Sequence, residues 1–329
     1  MNRLEKQQLE YVNNVQKSNR IALLTYGGSY AYGTNVEGSD VDVRGIMLPS
    51  KNEILSMTCS EEALVDTNTD TVIYPLKQMV KLLCNANPNT IEIVATREQD
   101  IFILSEEGQI LRENVNLFLT KGKVYNSFLG YAQNQLRRLK NTIARDELSQ
   151  SEKEQHILQS VQKRMATFEQ SYSPISEGGI KLHIEKSNRK DLDTEIMIDM
   201  SLKNYPLRDT KKMLDEMAIT LKQYGKLNHR NKKKDEPHLL KHSMHLVRLY
   251  LMGIDILQGK GIRTYREGDR ELLLDIRNGK YSYEEIYNMA ENLEEKFKDV
   301  LYESSLPEKL DRDKINNLMI DINTKILEG

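Results

Sequence analysis

YGGSYAYGTNVEGSDVDVRG, residues 26–45, sets two aspartates one residue apart, with ten residues between them and a Gly-Ser pair. Immediately before it, RIALLTY (residues 20–26) is a short apolar run with the composition of a buried strand. Gly27 and Gly28 interrupt that run, and a helix is expected to begin near Ser29. SDVDVRGIMLP then alternates Val41, Val43 and Met47 against Asp40, Asp42 and Arg44, the period of a second strand. A strand, a Gly-Gly-Ser turn, a short helix and a strand carrying paired acids make the nucleus of a small sheet with helices packed on it.

Working outward, residues 3–17 place Leu4, Leu9, Val12 and Val15 near helical spacing. EALVDTNTDTVIY predicts a hairpin turning at Thr67, Asn68 and Thr69. PLKQMVKLLCN predicts a helix that NANPN ends, and TIEIVAT is a further short segment. From about residue 105 long amphipathic segments take over, at 105–119, 123–145, 151–171, 209–224, 237–257, 282–300 and 308–327. Ser282 and Glu285 form a capping box ahead of one of them. IKLHIEKSNRKDLDTEIMIDMSL interrupts the helices with the alternation of a β-ribbon near residues 180–202. The expected class is α+β: a small mixed sheet with flanking helices over residues 1–120, then a mostly helical domain over 121–329 holding the ribbon.

Bulk properties narrow the function. Hydrophobic residues make up 39% of the 329-residue chain and charged residues 29%, the balance of a soluble protein with long solvated helix faces. A net charge of −2 gives no global attraction to polyanions, so any such site is local. Cys59 and Cys84 are too few and too far apart for a disulfide framework, so no disulfide partner is expected and a reducing cytoplasm is the default location. The polar N-terminus lacks the apolar core of a signal peptide, and no apolar run approaches the ~20 residues of a membrane span.

On one strand, Asp40 and Asp42 leave the same face. Two such carboxylates repel unless a cation or protons intervene, and Mg²⁺ suits oxygen ligands that leave room for phosphates. A third acid on a neighbouring strand completes a two-metal arrangement. Asp70, at the start of DTVIY, is the first choice; Asp66 is second, and Glu92 ranks lower because it lies beyond the following helix. The glycines let backbone N–H groups approach a phosphate closely. A surface turn or a calcium loop tolerates the same composition, although an EF-hand needs more oxygen ligands and a closing Glu.

Gly28-Ser29, ten residues, then Asp40-Val-Asp42 resembles the signature of the DNA polymerase β-like nucleotidyltransferase superfamily. The longer string GSYAYGT…SDVDVRGIMLP resembles its YcgL-like bacterial and phage branch. So do DTVIYPLKQMVKLLCNANPNTIEI, FLGYAQNQLRRL, LKHSMHLVRLYLMGIDIL and LLLDIRNGKYSYEEI, in the same order. The resemblance implies two Mg²⁺ (or Mn²⁺) ions held by Asp40 and Asp42, with Asp70 on one ion and helping to deprotonate the acceptor. It implies Gly28 and Ser29 on the triphosphate of an incoming NTP, and Arg44 beside them.

EPHLLKHSMHLVRLYLMGIDIL carries a basic stripe, Lys241, His245 and Arg248 at i, i+4 and i+7, about 10 Å long at helical rise. That is roughly a triphosphate's length, so the stripe is expected to close over the nucleotide; a solvated face is the alternative. His238, His242 and His245 also have the spacing of a zinc pair, without the Glu of a metalloprotease helix. Arg230 and Lys232–Lys234 form a basic run able to steer an RNA, although nothing aromatic interleaves it. Tyr30 and Tyr32 flank the Gly-Ser turn within reach of a base or ribose.

These features predict a nucleotidyltransferase that moves NMP from an NTP to a hydroxyl of an RNA end, a protein or a small molecule, releasing pyrophosphate. Synthesis of an oligonucleotide second messenger is an alternative within the superfamily. A nucleotide-binding regulatory or antitoxin-like protein without turnover is an alternative outside catalysis.

Overall fold

The computed structural model describes residues 4–56, 62–146, 180–186, 194–201 and 236–328, with short stretches at 188, 206–208, 210–215 and 218. The basic run at 230–234 and the expected helix over 151–171 lie outside the described residues, as does most of that over 209–224.

A five-stranded mixed sheet forms from β1 (Ile21–Tyr26), β2 (Val43–Met47), β3 (Leu64–Asp66), β4 (Thr71–Pro75) and β5 (Ile101–Leu104), in the order β3-β4-β2-β1-β5. The strand expected from IALLTY is β1, and every residue in it is buried. That follows from its position, because it pairs antiparallel with β2 on one side and β5 on the other while both faces are covered. The predicted hairpin is the antiparallel β3–β4 pair, and β4 runs parallel to β2 with Val43 opposite Thr71. Asp40 and Asp42 were expected within the second strand. They instead lie in the lead-in to it, since β2 starts at Val43.

One sheet face packs against α1 (Lys6–Ser18), where Val12 and Val15 meet Leu24, Val43, Met47 and Ile73. The other face contributes Leu23 and Ile46 to a larger core with α4 (Leu76–Leu83) and α5 (Pro88–Val94). TIEIVAT is therefore helical. Asn87 caps its first turn by accepting from the Asn89 amide, and Pro88 occupies a position where its missing N–H costs nothing.

The apolar helix α9 (Glu236–Leu257) crosses this larger core, with Leu246, Leu249, Tyr250 and Met252 buried in it. Its other side packs Met244 and Val247 on Leu273 and Ile276 of α10 (Arg270–Arg277) and on Ile286 of α11 (Tyr283–Glu303). The capping box read from Ser282 and Glu285 is present at the start of α11. A last helix, α12 (Arg312–Glu328), follows. Met1–Arg137 and Pro237–Gly329 thus make one compact unit, and Arg138–Glu236 a second. This partition differs from a boundary near residue 120, because the apolar faces of α9 to α12 are buried with the sheet rather than with one another alone. The second unit contains the expected ribbon, Ile180–Lys186 paired antiparallel with Thr194–Met200. No helix among the described residues is long and apolar enough to cross a membrane.

Candidate active site

The Gly-Ser turn is built by α2 (Gly28–Tyr32), a single helical turn between β1 and the loop to β2. Gly28 adopts φ +53°, and a Cβ there would lie 1.9 Å from Oδ2 of Asp42. Only glycine combines that backbone with so close an approach. The Gly27 amide donates to the Asp42 carbonyl at 2.8 Å, so the two motifs are fastened backbone to backbone. Both face a cavity of about 430 Å³, lined from this side by Gly28, Ser29, Asp42 and Arg44.

Asp42 receives Nη2 of Arg44 at 2.7 Å. Burial raises its carboxyl above the usual range; Arg44 and Lys241 pull it back, and the neighbouring Asp70 pushes it further up. Asp70 stands immediately before β4 as Asp42 stands before β2, and those strands are in parallel register there. The Val43 amide and an Arg44 guanidinium N–H both donate to the Asp70 carbonyl. Asp70 holds φ +48° in the hairpin turn, a conformation that Asp tolerates better than most residues with a side chain. The other third-acid choice, Asp66, accepts from the Thr69 hydroxyl at 2.7 Å and the Asn68 amide at 3.1 Å, which occupies it in the hairpin turn. Asp40 is exposed and does not line the cavity.

Among the described residues no three His, Cys, Asp or Glu side chains gather into a metal-holding group, whether of carboxylates or of the α9 histidines. The donor chemistry still fits Mg²⁺, which is held by one or two carboxylates plus substrate phosphates rather than by a protein cage. Asp42 lines the cavity and Asp70 stands beside it, exposed and outside the lining as Asp40 is, so these two could supply that minimum; Arg44 meanwhile neutralises Asp42.

The loop that carries Asp40 is braced from the C-terminal helices. Arg270 Nε donates to the Gly33 carbonyl at 2.8 Å. Arg277 donates to the Thr34 carbonyl and, at 3.2 Å, to the Ser39 hydroxyl, which itself accepts from the Val36 amide.

The far wall of the cavity comes from α5 and α9. Lys241, His242, His245 and Arg248 all line it, so the predicted stripe does face the Gly-Ser turn. Its members differ in what they can offer. Arg248 is 4% exposed and donates from Nη1 to Glu92, 5% exposed, at 2.6 Å. Its guanidinium also lies 3.6 Å over the Tyr32 ring, and the Tyr32 hydroxyl donates to the other Glu92 oxygen. Burial alone would lower the Arg248 pKa, but Glu92 and Tyr32 raise it. Burial and Glu92 push the Tyr32 phenol up, so it stays a proton donor. With Arg248 already matched, a ligand anion would meet the exposed Lys241 first, while the buried Arg248 Nε is without a hydrogen-bond partner. His245 is held well below its ordinary pKa by burial and then by Arg248 and Lys241, which keeps it neutral.

The Tyr32–Glu92–Arg248 cluster is the feature missed in the sequence, where Glu92 figured only as a low-ranked metal ligand. The available signal was the carboxylate between Ile91 and Ile93, since an acid in an otherwise apolar helix needs a buried partner.

Within residues 1–163 the chain is similar to polymerase β-like nucleotidyltransferases. The family model that matches it, over residues 1–163, is RlaP, described as an RNA repair pathway DNA polymerase beta family. An uncharacterized 38.9 kDa protein from the nrdC-mobD intergenic region of Enterobacteria phage T4 is 28% identical over 123 residues. That match covers 34% of this chain and 36% of the phage protein, so the chain spans about a third of that relative's length. No solved structure matches.

Proposed function

We propose that the protein transfers NMP from an NTP to a hydroxyl at an RNA end. The carrying observation is that Gly28, Ser29, Asp42 and Lys241 line one cavity while Asp70 stands in register beside Asp42. RNA is the preferred acceptor because the matching family is described by an RNA repair pathway.

In the balanced reaction the acceptor oxygen bonds to the α-phosphorus, the bond from that phosphorus to the bridging oxygen breaks, and pyrophosphate departs with the electron pair. Asp42, with Asp70 beside it, would hold Mg²⁺, with Asp40 joining them only if its loop moves inward; the ion would supply neutralisation of phosphate charge and a more acidic attacking hydroxyl. Gly28 and Ser29 let the chain come close to the triphosphate, while Lys241 meets its outer oxygens and Arg44 turns from Asp42 to phosphate. Asp70 takes the hydroxyl proton. Tyr32, Glu92 and Arg248 form a neutral, rigid wall that fixes the height of His245 above the nucleotide.

The test is incubation with each labelled NTP, Mg²⁺ and an RNA pool, with Asp42→Asn as comparison. Label entering RNA in the wild type but not in the variant is the expected result. Label found only in protein or in small molecules would redirect the acceptor. The Arg44–Asp42 ion pair favours one second reading, a nucleotide-binding regulator in which arginine has replaced the metal. Tight NTP binding with no turnover on any acceptor would support it.

A further inference from the structure

A second cavity, of about 550 Å³, lies apart from the first and is lined by Arg97, Lys296 and residues between Leu251 and Asp269. Its charge is unbalanced. Arg97, Lys260, Arg263, Arg266 and Lys296 line it against Asp255, Glu267 and Asp269. In a chain of net charge −2 such an excess is not background. The buried Asp255 is shared by Arg263 at 2.7 Å, Arg266 at 2.7 Å and Lys260 at 3.9 Å. Arg266 is also paired with Asp269 at 2.6 Å and Arg97 with Asp100 at 2.7 Å, so the excess resides in Lys260 and Arg263, which share Asp255 and remain half exposed, at 54% and 51%, and in Lys296. Lys296, from α11, is exposed as well.

The cavity is tied to the candidate active site by packing. Arg97 lies 3.6 Å over the ring of Tyr265. That ring presses on Gly33, the residue ending α2, where a Cβ would fall 2.0 Å from Tyr265 Cε2. Both cavities also use α9, the first along Lys241–Leu249 and the second along Leu251–Asp255. From His245 to Asp255 the helix rises ~15 Å. A stacked nucleic-acid strand covers that in roughly four nucleotides, at about 3.4 Å each.

We propose that this second cavity binds backbone phosphates of the polynucleotide acceptor, about four nucleotides from the reacting hydroxyl. The proposal rests on RNA being the acceptor. Phosphates would complete the cationic set around Asp255, with Lys260, Arg263 and Lys296 as the contacting groups and Arg97 held in place on Tyr265. Such contacts are indifferent to sequence, which fits an enzyme that must accept many RNA ends.

The test is anisotropy of labelled oligoribonucleotides of roughly two and roughly ten nucleotides, titrated with the full-length protein over a range of KCl. Lys260→Glu with Arg263→Glu is expected to lower affinity for the longer strand about tenfold or more and to flatten its salt slope by about 1.4, two contacts at ~0.7 each. Binding of the dinucleotide and of a fluorescent NTP analogue stays unchanged. Lys296→Glu, on a different helix, is expected to give a smaller fall with the same pattern. Unchanged affinity and slope in both variants overturns the proposal, as does equal loss of NTP binding or a wild type indifferent to strand length. If the wild type labels RNA while both variants keep its KM for RNA, the cavity proposal fails and the assigned reaction stands. If the wild type puts no label into RNA, the assigned acceptor fails and the proposal falls with it.

Discussion

Removing one partner of the Glu92–Arg248 pair should be among the most damaging single changes in the first unit. Both side chains are about 95% buried, at 5% and 4% exposure, and they meet at 2.6 Å. Arg248→Met leaves the Glu92 carboxylate with the Tyr32 hydroxyl but without its cation, and Glu92→Gln leaves a buried guanidinium without its anion. Breaking such a pair from one side costs about 3–5 kcal/mol. In a unit of this size that is a fall in Tm of roughly 6–20 °C. The double variant replaces the pair by neutral groups of similar volume, so its loss should be smaller than either single loss, within about 1–2 kcal/mol of wild type. Urea unfolding followed by tyrosine emission, practical because the chain has no Trp, measures all four proteins. Additive single losses, each below ~1 kcal/mol, would refute the argument that this cluster is a closed electrostatic unit.

Four further outcomes are expected. Gly28→Ala should cost about 1–2 kcal/mol for a side chain in the left-handed region, and more in activity than in stability, because the new Cβ displaces the Asp42 carboxylate; chemical denaturation and turnover on one preparation separate the two. Asp42→Asn and Asp70→Asn should each abolish NMP transfer while the protein remains folded by circular dichroism. Arg277→Ala should release the Thr34 and Ser39 contacts, raise the Mg²⁺ concentration needed for half-maximal turnover, and shift Tm by only a few degrees; Arg277→Lys should recover part of the loss. The lowered pKa of His245 means the unfolded chain binds the proton more readily, so its share of stability is complete above its ordinary value near 6.5 and is lost as pH falls towards the lower folded value. The raised Asp42 acts in the opposite sense, at lower pH. Stability profiles of wild type and His245→Gln should therefore diverge on acidification below about pH 6.5, the variant losing less.

The pattern of legibility has a physical cause. Much that is local was readable: the apolar run of β1, the turn of the β3–β4 hairpin, the ribbon, and the capping box of α11 each depend on residues a few positions apart. Gly28, Ser29 and Asp42 were readable because the sequence brings them together through one short loop. The role of Arg248 was not. Lys241, His245 and Arg248 form one stripe by spacing, but what each can do depends on a carboxylate 156 positions upstream. The joining of the C-terminal helices to the sheet in one compact unit was not visible for a related reason. Helices α9 to α12 look self-sufficient as amphipathic segments, and nothing in their periodicity says that the apolar side is buried against the sheet. Asp40 illustrates the converse, since a residue two positions from Asp42 looked equivalent to it, yet one lines the cavity and the other is exposed.

The braces on the Gly33–Asp40 loop and the Glu92–Arg248 pair impose an order of events on biosynthesis. Arg248, Arg270 and Arg277 leave the ribosome long after the motifs they support. Until then Glu92 has no cation, the Asp40 loop lacks its arginine anchors, and the cavity lacks the part of its wall that α9 supplies. A nascent or prematurely terminated chain that already displays Gly-Ser and Asp-X-Asp would therefore be silent.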